Sequence, residues 1–261
     1  MRNYFIATVI VLIVLGGIYF SGSRNIFLGP IVERDYEGLY VVDKYGKVFV
    51  SGNARFMGDL GFDNADAVDI EVELDGYYIL DRFGKVYEFG EAEFYGDANL
   101  EDAVDLEFAG KGYYVLDKSG LVLDYGFIKN YGSGKLGGYV DMEVVDGGYY
   151  LLNENGKMEA FGDAEFYGDM GDINAVGLAA TDKGYYILEE NGKIHFFGDV
   201  VNQGCEELNK NTARDIEVIS DGEGYYVLDG HGTAYSFFAA AGFPGPEYSG
   251  EDKYIDLELV D

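Results

Sequence analysis

The chain has 261 residues, of which 48 are acidic and 18 are basic, so its formal net charge is −30 at pH 7. A surface of this charge repels nucleic acid and anionic lipid, which argues against a nucleic-acid partner. The single cysteine, Cys205, has no second cysteine in the chain and therefore forms no internal disulfide.

The chain begins with an apolar segment, because residues 3–23 carry no charge. A helix of this length crosses the hydrocarbon core of a bilayer, which is about 30 Å thick. Aromatic residues stand at both ends of the run, where the two membrane interfaces would be: Tyr4, Phe5, Tyr19 and Phe20. The sequence therefore predicts a transmembrane anchor or hydrophobic assembly helix over residues 1–23, followed by a stalk over residues 24–37.

Two alternatives apply to the same segment. It could be a cleaved secretory signal, with Ser21-Gly22-Ser23 as the small-residue cleavage site. It could also pack between copies of the chain in a surface filament, although the processing site and early glutamate of type IV pilins are absent from the sequence. The anchor and the signal interpretations both place the remaining domain outside the cytoplasm.

The rest of the chain consists of six copies of one unit. Each copy opens with a glycine before an aromatic-rich run, at Gly38, Gly76, Gly112, Gly148, Gly184 and Gly224, so successive starts lie 38, 36, 36, 36 and 40 residues apart. A period in this range is typical of an array of identical supersecondary units.

The second copy shows the predicted elements of one unit. Residues 76–81 form an apolar strand, the Asp81 to Gly84 spacing predicts a turn, and residues 85–90 form the second strand of a hairpin. A short third strand is predicted over residues 93–96, and an alternating strand over residues 103–108 leads into the next copy. Four short strands and no helix predict a β-propeller blade, with the alternating strand innermost.

The two ends of the repeat array complement each other. The first copy lacks a good inner strand before Gly38, whereas residues 254–260 form an extra alternating strand after the last copy. If this C-terminal strand completes the first blade, the ring closes and no long sheet edge stays exposed. The prediction is an all-β, six-bladed β-propeller of four-stranded blades over residues 38–261, with an open solenoid as the structural alternative.

These units resemble the propeller-type repeats of bacterial and archaeal extracytoplasmic proteins, which are often written with a Gly-Tyr-Trp strand. The similarity lies in Gly-Tyr-Tyr-Val-Leu-Asp, Gly-Lys-Val-Tyr-x-Phe-Gly, Phe-Tyr-Gly and Val-Asp-Ile-Glu-Val. The Gly-x-Val-Tyr-x-Phe-Gly part also resembles the repeats of regulator-of-chromosome-condensation proteins. The resemblance implies a fold, whereas such propellers host unrelated activities.

Five of the predicted inner strands carry an Asp-x-Glu pair. The ten residues are Asp69, Glu71, Asp105, Glu107, Asp141, Glu143, Asp215, Glu217, Asp256 and Glu258. Only Gly177 and Ala179 interrupt the series. These carboxyl groups either accept hydrogen bonds that lock neighbouring blades together, or line a channel where a hard cation such as Ca²⁺ neutralises them. We favour the first interpretation, and no calcium-loop motif supports the second.

Catalytic motifs are absent from the sequence. His195 and His231 have no nucleophile motif nearby, and no His/Cys cluster has metal-ligand spacing. Aromatic residues outside the repeat register are candidates for glycan stacking: Tyr36, Tyr45, Phe62, Phe83 and Phe243.

The sequence therefore predicts a non-catalytic, acidic, cell-surface structural or protein-interaction module without a cofactor. Its expected partners are a membrane or further copies of itself through residues 1–23, and a protein or glycan through the propeller. A glycan-binding lectin and a polysaccharide-active enzyme are the alternatives.

Overall fold

A computed structural model describes residues 38–61, 65–73, 75–201, 208, 212–219, 222–238 and 240–260. The predicted N-terminal helix of residues 1–23 and the stalk of residues 24–37 therefore lie outside the described residues. Within the described ranges the secondary structure is entirely β, and none of it is an apolar helix of membrane-spanning length.

Eighteen strands form six antiparallel sheets of three strands each. The inner strands are β3 (Ala67–Glu73), β6 (Ala103–Phe108), β9 (Tyr139–Val145), β12 (Ala175–Thr181), β15 (Ala213–Val218) and β18 (Tyr254–Val260). The middle strands are β1 (Gly38–Asp43), β4 (Gly76–Asp81), β7 (Gly112–Asp117), β10 (Gly148–Asn153), β13 (Gly184–Glu189) and β16 (Gly224–Asp229). The outer strands are β2 (Val48–Gly52), β5 (Val86–Gly90), β8 (Val122–Gly126), β11 (Met158–Gly162), β14 (Ile194–Gly198) and β17 (Ala234–Phe238).

Sheet 1 contains β18, β1 and β2, and sheets 2 to 6 each contain three consecutive strands, from β3–β5 to β15–β17. The middle strands are buried on both faces because their side chains are apolar on both. The core consequently lies between sheets. In one cluster Tyr40 and Val42 of sheet 1 pack with Ile70 and Tyr77 of sheet 2, and equivalent clusters join the following sheets.

The predicted hairpin turns are confirmed. In sheet 2 one carboxylate oxygen of Asp81 accepts hydrogen bonds from the backbone N–H groups of Phe83 (2.9 Å) and Lys85 (3.0 Å). Gly84 has a φ of +75°, which a residue with a side chain rarely adopts. Asp43, Asp117 and Asp229 hold their turns through the same pair of bonds.

The prediction of four-stranded blades is wrong, because the Phe-Tyr-Gly segments form no strand. The backbone of residues 93–96 is bonded by tyrosine hydroxyls. Tyr78, in the same sheet, donates to the Glu93 carbonyl (3.0 Å). Tyr113, in the next sheet, donates to the Gly96 carbonyl (2.8 Å) and accepts from the Gly96 N–H (2.9 Å). Since these backbone groups are bonded already, the segment needs no ladder partner.

The extra strand predicted over residues 254–260 is present as β18. It pairs antiparallel with β1, with Leu39 opposite Leu259 and Val41 opposite Leu257. On the other side of this sheet, Leu39 and Val41 pack against Tyr226 and Leu228 of sheet 6. The first and last repeats thus share both a ladder and a hydrophobic cluster.

Two ion pairs connect the β1–β2 turn with the segment before β18, and they predict different mutational effects. The ammonium of Lys253 lies 3.1 Å from a carboxylate oxygen of Asp43, whose side chain is 2 % exposed. Lys253→Met should lower the free energy of unfolding by about 1–3 kcal/mol, since it leaves a buried carboxylate without its cation. Denaturant titration measures the change.

Lys44→Met is the matched control. Lys44 pairs with Glu251 at 2.8 Å, but both side chains are largely exposed, so solvent screens the pair and the unfolding midpoint should hardly move. Equal effects of the two substitutions would contradict the assignment of Asp43 and Lys253 as the stabilising connection.

Candidate functional site

The five Asp-x-Glu pairs lie on neighbouring inner strands, and we call them the carboxyl column. In each of these five inner strands a register shift occurs just before the aspartate, for example between Ala67 and Asp69 in β3. Such a bulge inserts one extra residue. Ala67 therefore joins Ile70 in the hydrophobic core, while Asp69 and Glu71 follow on the face of the column. The alternating pattern alone does not show this shift.

Each aspartate of the column accepts a hydrogen bond from the backbone of a neighbouring inner strand. Leu106 N–H donates to Asp69 (3.1 Å), Leu178 N–H to Asp141 (2.6 Å), and Leu257 N–H to Asp215 (3.0 Å). Asp105 accepts in the same way from Met142, and Asp256 from Ile70 at 2.8 Å. Five of the six junctions between inner strands therefore carry one such bond.

Two glutamates of the column also accept hydrogen bonds from the backbone of a neighbouring inner strand. Phe108 N–H donates to Glu71 at 2.9 Å, and Val144 N–H donates to Glu107 at 3.1 Å. Gly177 of β12 occupies the position of the missing aspartate, where a Cβ atom would lie 3.4 Å from the backbone nitrogen of Ile216. The junction of β12 and β15 therefore has no aspartate at this position that could accept a hydrogen bond from β15.

Several carboxyl groups of the column also bond to one another. Asp256 bonds to both Asp69 and Asp215, and Glu71 bonds to Glu258. A hydrogen bond between two carboxyl groups requires a proton on one of them. The arrangement therefore retains protons that isolated carboxyl groups would lose at neutral pH.

Burial is the main cause that raises the pKa of all ten carboxyl groups, and repulsion between neighbouring carboxylates adds to it. These effects raise the pKa of Asp256 to about 6, that of Asp105 to about 7 and that of Glu71 to about 8. The other seven pKa values lie well above the ordinary carboxyl range.

Among the described residues, no three acidic, histidine or cysteine side chains are arranged to hold a metal ion. The hydrogen bonds to neighbouring strands show what the carboxyl groups do in the fold, and shared protons offer one way to neutralise them. Calcium binding by the column stays the alternative interpretation, which a rise in unfolding temperature on adding Ca²⁺ would support.

The three aromatic candidates for glycan stacking that the structure describes have different surroundings. Phe83 is 54 % exposed, with the guanidinium of Arg82 over its ring. The Tyr45 hydroxyl donates to Glu251 (2.7 Å), and Phe243 stacks on Tyr226 in the core between sheets 6 and 1. Tyr36 and Phe62 lie outside the described residues.

A repeated exposed aromatic was missed by the sequence reasoning, which assigned aromatics in the repeat register to the core. Phe56, Phe94 and Phe166 occupy equivalent positions in three repeats and are 52 %, 47 % and 54 % exposed. Each of them precedes a residue that packs inward. Because neighbouring side chains of an extended segment point to opposite sides, this position in the sequence could have indicated exposure. These phenylalanines form a repeated apolar feature of the surface.

The two histidines have structural bonds. His195 contacts the carboxylate of Glu189 at 2.6 Å, at the turn of sheet 5, where the other sheets have Asp or Asn. The His231 ring bonds to the Ser249 carbonyl at 3.0 Å. Neither bond involves a nucleophile.

The chain is similar in fold to β-propellers. A chain in the crystal structure of a nidogen/laminin complex superimposes with a TM-score of 0.62 at 11% identity, over 85% of this chain and 98% of that chain. The C-terminal WD40 domain of Sif2 gives a TM-score of 0.49 at 11% identity, over 74% of this chain and 76% of that one. The computationally designed protein Ika8 gives 0.49 at 8% identity, over 76% and 68%. No protein-family model and no curated protein matches the sequence.

Six repeated three-stranded sheets and the likeness to the chain of the nidogen/laminin structure define the class of the protein as a β-propeller repeat protein. At 11% identity this likeness shows the fold alone. The function consequently has to be argued from the residues of this chain.

Proposed function

We propose that the chain is a non-catalytic, extracytoplasmic β-propeller that serves as a structural or protein-interaction module at the cell surface. The observation that carries this proposal is that the repeated polar side chains form hydrogen bonds within the fold. The column aspartates bond to neighbouring inner strands, and the repeated tyrosine hydroxyls bond to backbone carbonyls of the loops. These repeated polar groups hold the sheets and loops together, which supports a structural role for them.

What remains for solvent is an acidic surface with exposed phenylalanines at repeated positions. Exposed apolar side chains that repeat along a surface suit the binding of a macromolecule. One of the similar structures is that of a nidogen/laminin complex, which is consistent with this use of a propeller. We infer in addition that β18, which pairs with β1, closes the ring of sheets.

The extracytoplasmic location and the assembly of the protein rest on the apolar run of residues 3–23. Full-length protein and a version that starts at Arg24 should be compared by mass-resolved size exclusion and negative-stain electron microscopy. We expect the shorter version to be a monomeric disc, and the full-length chain either to need detergent or to form regular filaments. Filaments would assign residues 1–23 as packing element, and isolated discs in detergent would assign them as an anchor.

A full-length chain that is monomeric without detergent would contradict both assignments. Labelling of the propeller lysines on intact cells by a membrane-impermeant amine reagent tests the location separately. Turnover of polysaccharides by the purified protein would contradict the non-catalytic assignment.

A further inference from the structure

Three pockets of similar size lie side by side at one end of the sheets, where the inner strands finish. Their volumes are about 450, 400 and 360 Å³. They occupy the junctions between sheets 3 and 4, 4 and 5, and 5 and 6. The β9–β10 turn lines the first two, and the β12–β13 turn lines the last two. The three pockets therefore form one continuous row, which we call the acidic arc.

The repeat builds each pocket from equivalent parts. One wall is the second tyrosine of the Gly-Tyr-Tyr strand, which is Tyr114, Tyr150 or Tyr186. The hydroxyl of Tyr114 donates to the Lys129 carbonyl (2.6 Å) and that of Tyr150 to the Glu165 carbonyl (2.8 Å), so the rings are held in place. The pockets are part of the fold and need no rearrangement to form.

The lining carries far more negative than positive charge. Six exposed carboxylates line the arc: Asp146, Asp163, Glu165, Asp182, Asp199 and Glu223. Its two ammonium groups belong to Lys129 and Lys183, and that of Lys129 lies over the Tyr131 ring, 4.5 Å from its centre. The middle pocket is lined by four of the carboxylates and by no lysine or arginine.

Fixed aromatic walls beside exposed carboxylates suit the side chain of arginine or lysine. The apolar stem packs on the ring, and the charged head pairs with a carboxylate at the rim. Arginine suits the arrangement better, because its planar guanidinium both stacks on aromatic rings and donates to carboxylates with two N–H groups. Among the described residues, the four aspartates of the arc take part in no ion pair within the chain.

We propose that the acidic arc binds an extended, arginine-rich segment of a partner protein, with basic side chains in successive pockets. The proposal rests on the proposed function as an interaction module and names the chemistry of its partner. A continuous row of equivalent pockets requires a partner that repeats its own side chains along an extended chain. Opposite charge on the two surfaces speeds their encounter and selects this class of segment over acidic ones.

The test uses the full-length protein in detergent and a short fluorescent peptide of alternating arginine and serine, with binding measured by fluorescence anisotropy at low salt. The Asp146→Asn/Asp182→Asn variant removes the two carboxylates that stand between pockets. It should weaken binding about tenfold, which corresponds to about 1.4 kcal/mol. A peptide with glutamine in place of arginine should not bind.

The control variant is Glu101→Gln/Asp172→Asn, which makes the same change of charge. Both residues are exposed and precede inner strands, so they stand at the opposite end of the sheets. This variant should change the affinity less than about twofold. Equal losses in both double variants would show binding to net charge alone and overturn the proposal. Displacement of the peptide by a neutral oligosaccharide would reassign the pockets to glycans and would also overturn it.

The outcome is separable from that of the proposed function. Peptide binding confined to the arc in a protein that proves to be cytoplasmic would support the arc and contradict the surface role. If the protein is located at the cell surface and assembles there but does not bind the arginine peptide, the surface role is supported and the proposed binding by the acidic arc is contradicted. Matching melting temperatures of the variants and the wild type exclude misfolding as the cause of any loss.

Discussion

Raising the pH from about 5 to about 9 should destabilise this protein progressively, by about 1.4 kcal/mol per pH unit for every proton that the folded state holds and the unfolded state lacks. The cause is the carboxyl column, in which burial and mutual repulsion raise the pKa of all ten groups. A group whose pKa is raised on folding contributes its full stabilisation below its unfolded pKa, about 4 for a carboxyl group. That contribution is lost as the pH rises through the folded pKa.

The loss of stability begins above the unfolded pKa of about 4, and the folded pKa of each group sets where its contribution to the loss ends. The pKa of Asp256 is about 6, that of Asp105 about 7 and that of Glu71 about 8. The stability curve should therefore already fall at about pH 5, be steepest while all ten groups are protonated only in the folded state, and become less steep as column groups lose their protons above about pH 6. Denaturant unfolding at a series of pH values measures this curve at constant ionic strength.

Asp256→Asn should flatten the pH dependence and raise the stability at alkaline pH. The asparagine keeps an oxygen that can accept the hydrogen bond from Ile70 N–H, while it removes one charge from beside Asp69 and Asp215. Glu101→Gln, at an exposed position, is the control and should leave the pH profile unchanged. A stability that is constant or increases between pH 6 and about 9 would contradict the shared-proton description of the column.

Truncation of Tyr113 should be among the most destabilising single changes in the propeller. Its side chain is fully buried, and its ring packs against Tyr78 of the preceding sheet with centroids 5.2 Å apart. Its hydroxyl bonds to both the N–H and the carbonyl of Gly96. Tyr113→Ala removes a large ring from a packed junction and should lower the free energy of unfolding by about 3–5 kcal/mol.

Two conservative variants separate packing from hydrogen bonding. Tyr113→Phe keeps the ring but leaves the Gly96 backbone groups without their partner, so we expect a loss of about 1–3 kcal/mol. Tyr95→Phe is the matched control, because the Tyr95 hydroxyl has only a long bond of 3.2 Å to the exposed side chain of Glu93. Its effect should be small. Equal costs for the two Tyr→Phe variants, measured by denaturant titration, would show that the Tyr113 hydroxyl does not hold the loop.

The limits of the sequence prediction are clearest in the Phe-Tyr-Gly segments. Residues 93–96 have the aromatic composition of a strand, and they lie next to an outer strand, so a fourth strand was the natural expectation. Their backbone groups are bonded instead by Tyr78 and by Tyr113 of the next sheet. The second of these partners stands 17 residues away in another repeat, which no local propensity records.

The carboxyl column was likewise predicted in part from the sequence, while other features of it depend on the folded structure. The sequence placed Asp69 and Glu71 on one face of an inner strand and predicted contacts with a neighbouring blade, and both acids do accept bonds from β6. The bulge between Ala67 and Asp69 and the raised pKa of Glu71 depend on how closely the inner strands approach one another. Those distances exist only in the folded state.

The sequence by itself determined the number of repeats, the strand pairs and the turns, because apolar alternation and Asp-x-x-Gly spacing act within a few residues. It also determined that the last strand would be an inner one, since residues 254–260 repeat the pattern of β3. Only the tertiary structure decided that the sheets have three strands and that the tyrosine hydroxyls hold the loops. It alone also placed three pockets in one row. These features arise where neighbouring repeats meet, and their energies depend on distances between groups far apart in the chain.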